Sequence, residues 1–419
     1  MFYLFTPAPR RTAFLTLLIF TSIFSGCRYW QQSPNAAPAE SNEKLVLPDG
    51  ENGGFPVSSS DVNLAKPLEI STRPADVALC DKINQTIEQS EFANARWGVV
   101  AISLKDGRVI CGRDAQKLFN PASIEKTLTA IVALDTLGAD YRWRTSVYAA
   151  NQIQPDGTLN GDLTLYGQGA PDFDTKALEQ LVADLQAKGL KRVKGNVIGD
   201  ASYFRGSGLG DGWTWNELQW YYGAEASALT FNDNEGFVNV ENGIGKAAPD
   251  YIQVVTAAST PEEEKNGGGG NSSRSRNSAG LTRGLDDNDF YVWGTKQNWG
   301  ARVAVHNPAE WAARAFKQSL EKHGITVEGL PQSFDWKSAN KLDTGAATEL
   351  AFVESQTLSE IVKKMNKHSV NLYAELILRT IGRKFRDTAP ADNARPEEVR
   401  GDDNAGAAII KKWLREHSV

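Results

Sequence analysis

The stretch Asn-Pro-Ala-Ser-Ile-Glu-Lys-Thr-Leu-Thr-Ala-Ile-Val-Ala-Leu occupies residues 120–134 and gives the clearest helix signal in the chain. Asn120 is a favoured N-cap residue, Pro121 suits the first helical position, and Gly138 suits the end of the helix. Apolar side chains are spread almost all round this segment, which leaves little polar surface. Such a pattern predicts a helix that is buried in the middle of a domain.

Ser123 and Lys126 lie three residues apart in the first turn of this helix, so they project from the same face. A serine hydroxyl becomes a good nucleophile when a base takes its proton, and burial lowers the pKa of a lysine toward the range of a general base. The backbone N–H of Ser123 also lies where the helix dipole favours a developing oxyanion. The pair therefore predicts a nucleophile and its base. The alternative is a chance Ser-x-x-Lys spacing, with Lys126 extending to solvent.

Length and charge set broad limits on the protein. Its 419 residues favour two or three domains, and its net charge of −6 argues against a nucleic-acid partner. Composition shifts along the chain predict a signal peptide over residues 1–26, a disordered tether over 27–74, the first part of one domain over 75–144, inserted domains over 145–342, and the second part of the first domain over 343–419.

The N-terminus has the pattern of an exported lipoprotein. Arg10 and Arg11 precede an apolar run at residues 13–24 that is short for a membrane span. Ser25-Gly26-Cys27 then resembles a bacterial lipobox, in which Cys27 is lipidated and anchors the mature chain, although Phe24 stands where leucine is usual. The alternative is an uncleaved signal anchor that contains a cysteine.

Export bears on the two remaining cysteines. In an oxidising compartment Cys80 and Cys111 can form a disulfide, and two buried free thiols are the alternative. Cys111 ends a predicted hairpin in which residues 97–104 and 108–111 flank an Asp-Gly turn. A helix is predicted to precede the hairpin, over residues 75–89.

Residues 145–342 have a different character, because short strand-like runs alternate with turn signals. Helices are predicted over residues 175–188 and 307–322, and the low-complexity segment 261–284 is predicted to be a loop insertion. This block is interpreted as one or two α+β domains.

A second polar group of interest follows the inserted block. Residues 356–366 form a predicted helix with Thr357 as N-cap and Glu360 completing a capping box. Ser369 and Asn371 stand at the start of the next helix, where their side chains can point into a cleft. The alternative is that Ser369 only caps that helix. No His/Cys cluster has metal-ligand spacing, so neither a metal nor a cofactor is predicted.

The sequence Ser-Ile-Glu-Lys at 123–126 together with Ser-Val-Asn at 369–371 resembles the first two motifs of the penicillin-recognising serine enzymes. The wide gap between the motifs resembles the class C low-molecular-mass penicillin-binding proteins, which are D-alanyl-D-alanine carboxypeptidases and endopeptidases. The segments 161–172, 215–224 and 366–375 agree, and the resemblance runs from about residue 78 to the end of the chain.

This resemblance implies an α+β protein, with a serine β-lactamase/transpeptidase-like catalytic domain interrupted by inserted α+β domains. It implies that Ser123 attacks the carbonyl of a D-Ala-D-Ala peptide and that Lys126 is the base. Ser369 would relay a proton to the leaving amine, and Asn371 would orient Lys126 or hold the substrate amide. Peptidoglycan stem peptides would be substrates, β-lactams would be covalent inhibitors, and the protein would act in the periplasm or cell envelope.

One departure from the family pattern is plain: no Lys-Thr-Gly motif follows Asn371. The resemblance implies a five-stranded antiparallel sheet behind the serine helix, of which this sequence supplies the hairpin over residues 97–111. The expectation is a C-terminally truncated enzyme whose last strands are missing, which binds penicillin poorly and has an unstable catalytic domain. Two alternatives remain: a non-catalytic envelope protein that binds peptidoglycan or a partner, and a β-lactamase-like hydrolase of β-lactams or esters.

Overall fold

The computed structural model describes residues 68–256, 279–294, 296–390 and 400–417, which form two compact units divided between Lys117 and Leu118. The predicted signal peptide, the lipobox with Cys27 and most of the predicted tether lie outside these residues. So does most of the predicted loop insertion. Among the described residues, no helix combines the length and apolar character needed to cross a bilayer.

The first unit is a helix joined to a hairpin. Helix α1 (Pro74–Glu88) packs on the antiparallel pair β1 (Val99–Ile102) and β2 (Val109–Arg113). A disulfide joins Cys80 to Cys111 with their Cα atoms 5.0 Å apart, so the structure contains the pairing rather than two free thiols. The helix and the hairpin are close to their predicted bounds.

A polar contact also ties the start of α1 to the hairpin. The Arg108 guanidinium donates a 2.8 Å hydrogen bond to the Asp76 carboxylate, which also accepts one of 2.6 Å from the Ser71 hydroxyl. These two hydrogen bonds, in that order, lower the pKa of Asp76 from 3.8 to about 2.

The described residues of the second unit form six α-helices and four sheets. Its helices are α2 (Glu125–Leu137), α3 (Thr175–Ala187), α4 (Pro308–Lys322), α5 (Leu358–His368), α6 (Asn371–Phe385) and α7 (Asp402–Glu416), of which α2, α5, α6 and α7 pack together around the residues singled out above. Its strands are β3 (Arg144–Ala149), β4 (Thr158–Leu159), β5 (Leu163–Gly167), β6 (Arg192–Val193), β7 (Val197–Asp200), β8 (Glu235–Glu241), β9 (Ile244–Ala248), β10 (Gln253–Thr256), β11 (Ala279–Arg283), β12 (Asp289–Gly294), β13 (Trp299–Ala304), β14 (Thr326–Val327), β15 (Pro331–Phe334) and β16 (Thr348–Glu354).

The largest sheet of this unit has five strands in the order β15-β7-β5-β3-β16, covered by α3 and α4. Three sheets of three strands accompany it, in the orders β14-β6-β4, β13-β8-β9 and β10-β12-β11. The five-stranded sheet starts at Arg144 and includes Thr348–Glu354, because β16 pairs antiparallel with β3. It therefore extends past residue 342, where the predicted inserted block ends.

The core of the helical layer fixes α6 beside the segment that follows α2. Leu376 and Ile377 on α6 are fully buried, as are Val132 and Ala133 on α2. The buried indole of Trp143 donates a 2.8 Å hydrogen bond to the hydroxyl of Thr380, so its one polar group is satisfied.

Three local predictions differ from the structure. The serine helix begins as a 3-10 turn over Ala122–Ile124, because the left-handed φ of 46° at Ala122 does not fit an α-helix. Asn120 still accepts a hydrogen bond from the Ala122 N–H, as a capping side chain does. The prediction that this helix is buried on all sides is wrong, since Ile131 is 46% exposed. The capping box at Thr357 is also wrong, because its hydroxyl bonds the Ser359 hydroxyl rather than the backbone.

Candidate active site

The start of α2 brings the predicted nucleophile and base together. Ser123 lies in the 3-10 turn and Lys126 in the first α-helical turn, and the Lys126 ammonium donates a 2.9 Å hydrogen bond to Ser123 Oγ. When Lys126 is neutral, its nitrogen lone pair can accept the Ser123 proton along the same line. The contact therefore has the geometry that a nucleophile and a general base require.

The turn between α5 and α6 supplies a second hydroxyl. Ser369 is the C-cap residue of α5. Its φ of 56° is left-handed, a conformation that non-glycine residues rarely adopt. From this turn Ser369 Oγ donates a 2.8 Å hydrogen bond to Ser123 Oγ across 246 residues of sequence. Ser369 thus ends α5 and contacts Ser123, whereas the sequence predicted it at the start of α6.

Asn371 is the first residue of α6, and its side chain bonds elsewhere. Its amide nitrogen donates a 2.9 Å hydrogen bond to the backbone carbonyl of Tyr222. Tyr222 lies in a 3-10 turn, Tyr221–Gly223, and its ring makes an edge-to-face contact with that of Tyr221 at 5.4 Å. Asn371 therefore joins the α5–α6 turn to an aromatic surface. Its predicted contacts with Lys126 or a substrate amide stay predictions.

The electrostatics at Lys126 result from opposing causes. Partial burial lowers the pKa of Lys126, while the charges of Glu125 and Glu375 raise it. Burial is the first of these causes, as the sequence argument requires of a base. Glu375 was not singled out from the sequence. The signal that could have identified it is a carboxylate among apolar residues on α6, four residues after Asn371.

The described residues contain no group of His, Cys, Asp and Glu side chains that could hold a metal ion. The chemistry of the site follows from the three side chains that meet there. One oxygen, Ser123 Oγ, is in contact with an amine and with a second hydroxyl, both on elements of the same helical layer. Such an arrangement can form an ester at Ser123 and pass its proton onward.

Comparison with known proteins gives a consistent result. Residues 79–399 match the D-Ala-D-Ala carboxypeptidase 3 (S13) family. A D-alanyl-D-alanine carboxypeptidase from an Actinomadura species is 29% identical, over 73% of this chain and 57% of that protein. The D-alanyl-D-alanine carboxypeptidase DacB of Haemophilus influenzae is 26% identical, over 68% of this chain and 58% of its own. The chain thus spans less than two thirds of the length of these relatives.

A solved structure shows that the fold is shared. The crystal structure of penicillin binding protein 4 (dacB) from Haemophilus influenzae superimposes with a TM-score of 0.61, at 23% identity, over 76% of this chain and 67% of that one. The mixed helix and strand architecture expected from the sequence is therefore confirmed at the level of the fold.

Proposed function

The chain belongs to the D-Ala-D-Ala carboxypeptidase 3 (S13) family, and from this premise we propose that it is a serine-type D-Ala-D-Ala carboxypeptidase or endopeptidase of peptidoglycan that works through an acyl-enzyme. The observation that carries the proposal is the double contact at Ser123 Oγ, 2.9 Å from the Lys126 amine and 2.8 Å from the Ser369 hydroxyl. Each contact lies within the reach that proton transfer needs.

In the proposed reaction, Ser123 Oγ attacks the carbonyl carbon of the D-Ala-D-Ala bond while its proton passes to the neutral Lys126 amine. The tetrahedral intermediate collapses, the C–N bond breaks, and the leaving amine receives a proton through Ser369. Water then attacks the Ser123 ester, which releases the shortened peptide and restores the hydroxyl. The Ser123 N–H lies at the start of a helix, where it can donate to the oxyanion.

The proposal extends to partners and location. Peptidoglycan stem peptides are the proposed substrates, and β-lactams are the proposed covalent inhibitors because their strained amide presents the same carbonyl to Ser123. The lipobox at Ser25-Gly26-Cys27 supports export to the periplasm or cell envelope with a lipid anchor on Cys27. In a fatty-acid labelling experiment, the wild type should be marked and Cys27→Ser should not. Equal labelling of both would remove the anchor from the proposal.

Labelling with a fluorescent penicillin tests the chemistry. The label that the wild type takes up, which is expected to be slow because no Lys-Thr-Gly motif follows Asn371, should be lost in Ser123→Ala. Lys126→Ala should label about 10²–10⁴-fold more slowly than the wild type, because that is the usual contribution of a general base. Ser359→Ala is the matched control. Its hydroxyl also lies on α5, but it bonds the Thr357 hydroxyl rather than Ser123. It should label like the wild type.

Each other outcome identifies another function. A labelled Ser123→Ala protein would place the nucleophile at a different serine. A folded wild type that never labels would favour the non-catalytic envelope protein. Rapid turnover of a chromogenic β-lactam, with no release of D-Ala from a stem peptide, would favour the β-lactamase-like hydrolase.

A further inference from the structure

The 3-10 turn Tyr221–Gly223 holds the Asn371 side chain beside the candidate active site. The backbone carbonyl of Tyr222 accepts the 2.9 Å hydrogen bond from the Asn371 amide. Asn371 lies two residues after Ser369, whose hydroxyl reaches Ser123 Oγ at 2.8 Å. The contacts that fix this turn therefore bear on the geometry next to the proposed nucleophile.

The backbone that leads into the turn is attached to strand β13. The Ala304 N–H donates a 3.1 Å hydrogen bond to the Gln219 carbonyl, and Trp220 forms an antiparallel bridge with Val303. These two attachments end at Trp220, one residue before the turn begins. At the next residue, Tyr221, the contact with β13 continues through a side chain.

Arg302 on β13 makes this side-chain contact. The carbon of its guanidinium lies 3.9 Å from the centroid of the Tyr221 ring, which meets the Tyr222 ring edge to face. Glu235 on the paired strand β8 fixes the guanidinium, because Nη2 lies 2.7 Å and Nε 3.1 Å from both of its carboxylate oxygens. A planar cation held in this way presents a fixed face to an aromatic ring.

The Tyr222 carbonyl decides how the Asn371 amide is oriented. A carbonyl oxygen only accepts hydrogen bonds, so the end of the amide that faces it is the NH₂ group. Asn371 Oδ1 then lies at the other end, where it can accept a hydrogen bond from the Lys126 ammonium or from a substrate N–H. If the turn moves away, the amide is free to rotate and presents either end.

We propose that Arg302 is a positioning residue for the candidate active site. Held by Glu235, it stacks on Tyr221 and fixes the turn, and the turn orients the Asn371 amide. A strand outside the helical layer thereby supports the residue that follows the Ser369 cap. The inference rests on the proposed function, because acylation is the step in which the orientation of Asn371 is used.

Arg302→Lys tests the stacked geometry while it keeps the positive charge. A compact ammonium cannot lie flat on a ring and hold a carboxylate in the same fork. Arg314→Lys is the matched control, because Arg314 bonds the Glu310 carboxylate at 2.6 Å and lies 5.0 Å from the centroid of the Tyr251 ring. The two arginine side chains are similarly exposed, at 51% and 48%, but Tyr251 lies outside the turn.

The first experiment observes Asn371 directly and needs no acylation. The full chain is labelled with 15N-asparagine, and the side-chain NH₂ signals of Asn371 are assigned by their loss in Asn371→Ser. Arg302→Lys should shift these signals and speed the exchange of the bonded proton with water, whereas Arg314→Lys should leave them in place. Tyr221→Leu removes the ring instead of the guanidinium and should change the same signals, so it also answers the question if Arg302→Lys does not fold.

The second experiment is a double-mutant cycle on penicillin acylation. Arg302→Lys should slow acylation by about two- to thirtyfold, the range expected of a residue that acts through its neighbours. In an Asn371→Ser background the same substitution should have little further effect, because the orientation that it controls is gone. General damage to the fold would slow acylation by the same factor in both backgrounds.

The results separate the two proposals. If the wild type does not acylate, the proposed function fails, and the Asn371 signals still decide whether Arg302 acts on that side chain. Unchanged Asn371 signals in Arg302→Lys and Tyr221→Leu would overturn the inference, as would equal slowing of acylation in both backgrounds. Signal changes as large in Arg314→Lys would also overturn it, because they would show a response to the loss of any stacked arginine. If Asn371→Ser abolishes acylation, the signals alone decide.

Discussion

Replacing Ser369 with glycine should leave the protein more stable than replacing it with alanine, and either replacement should make the site less active. Ser369 holds a φ of 56° at the end of α5, in the left-handed region. That conformation costs a non-glycine residue about 1–2 kcal/mol, and glycine adopts it freely. Glycine in turn loses about 0.5–1 kcal/mol more backbone entropy on folding than alanine. The difference leaves a net stabilisation of roughly 0.5–1 kcal/mol for Ser369→Gly over Ser369→Ala.

Comparing Ser369→Gly with Ser369→Ala separates the effect of the backbone conformation from the effect of losing the hydroxyl. Both remove the hydroxyl that donates to Ser123 Oγ at 2.8 Å, so both should acylate with penicillin about 10²–10⁴-fold more slowly than the wild type. Only Ser369→Gly removes the energetic cost of the left-handed conformation at this position. Its thermal unfolding midpoint should exceed that of Ser369→Ala by about 1–3 °C, as expected for a domain of this size.

The two measurements can refute different parts of the reasoning. If Ser369→Gly unfolds at a lower temperature than Ser369→Ala, the turn does not hold the left-handed conformation described above. If either variant acylates at the wild-type rate, the Ser369 hydroxyl has no part in the proton transfer.

Three further predictions concern the scaffold. Cys80→Ser/Cys111→Ser should destabilise the first unit by about 3–4 kcal/mol, because the disulfide closes a loop with a sequence separation of 31, and unchanged resistance of that unit to proteolysis would contradict this. The pKa of Asp76 is lowered from 3.8 to about 2 in the folded chain, so its contribution to stability is present above about pH 4 and is lost as the pH falls toward 2. Asp76→Asn should therefore make hydrogen exchange in α1 depend less on pH in the acid range. The same pH dependence in both proteins would refute the linkage. Thr380→Val should cost about 1–3 kcal/mol in urea unfolding, because it leaves a buried indole N–H without its acceptor, and an unchanged midpoint would show that the N–H has another partner.

Sequence periodicity predicted the parts of the fold that depend on local interactions. The helices predicted over residues 175–188 and 307–322 appear as α3 and α4 within one or two residues, and the hairpin before Cys111 is present. The Ser-x-x-Lys spacing placed Lys126 beside Ser123 because helix geometry fixes that relation. These features need no knowledge of the rest of the chain.

The features that were missed depend on distant contacts or on single backbone angles. The pairing of β16 with β3 joins segments about 200 residues apart, and the contact of Asn371 with the Tyr222 carbonyl spans 149 residues. Asn120 and Pro121 are typical of a helix start, but the left-handed φ of Ala122 turns that start into a 3-10 segment. No local pattern specifies such an angle in a residue that carries a Cβ atom.

The unusual backbone angles of Ala122 and Ser369 have a common structural setting. Both residues are left-handed, one lies next to Ser123 in sequence, and the other bonds its hydroxyl. Strained residues persist only where the surrounding packing holds them in place. Here that packing is the helical layer, in which buried side chains of α2 and α6 fix the two segments that present these residues. A core substitution between α2 and α6 should therefore slow acylation by more than its effect on the folded fraction, because it releases the angles that aim the two hydroxyls at each other.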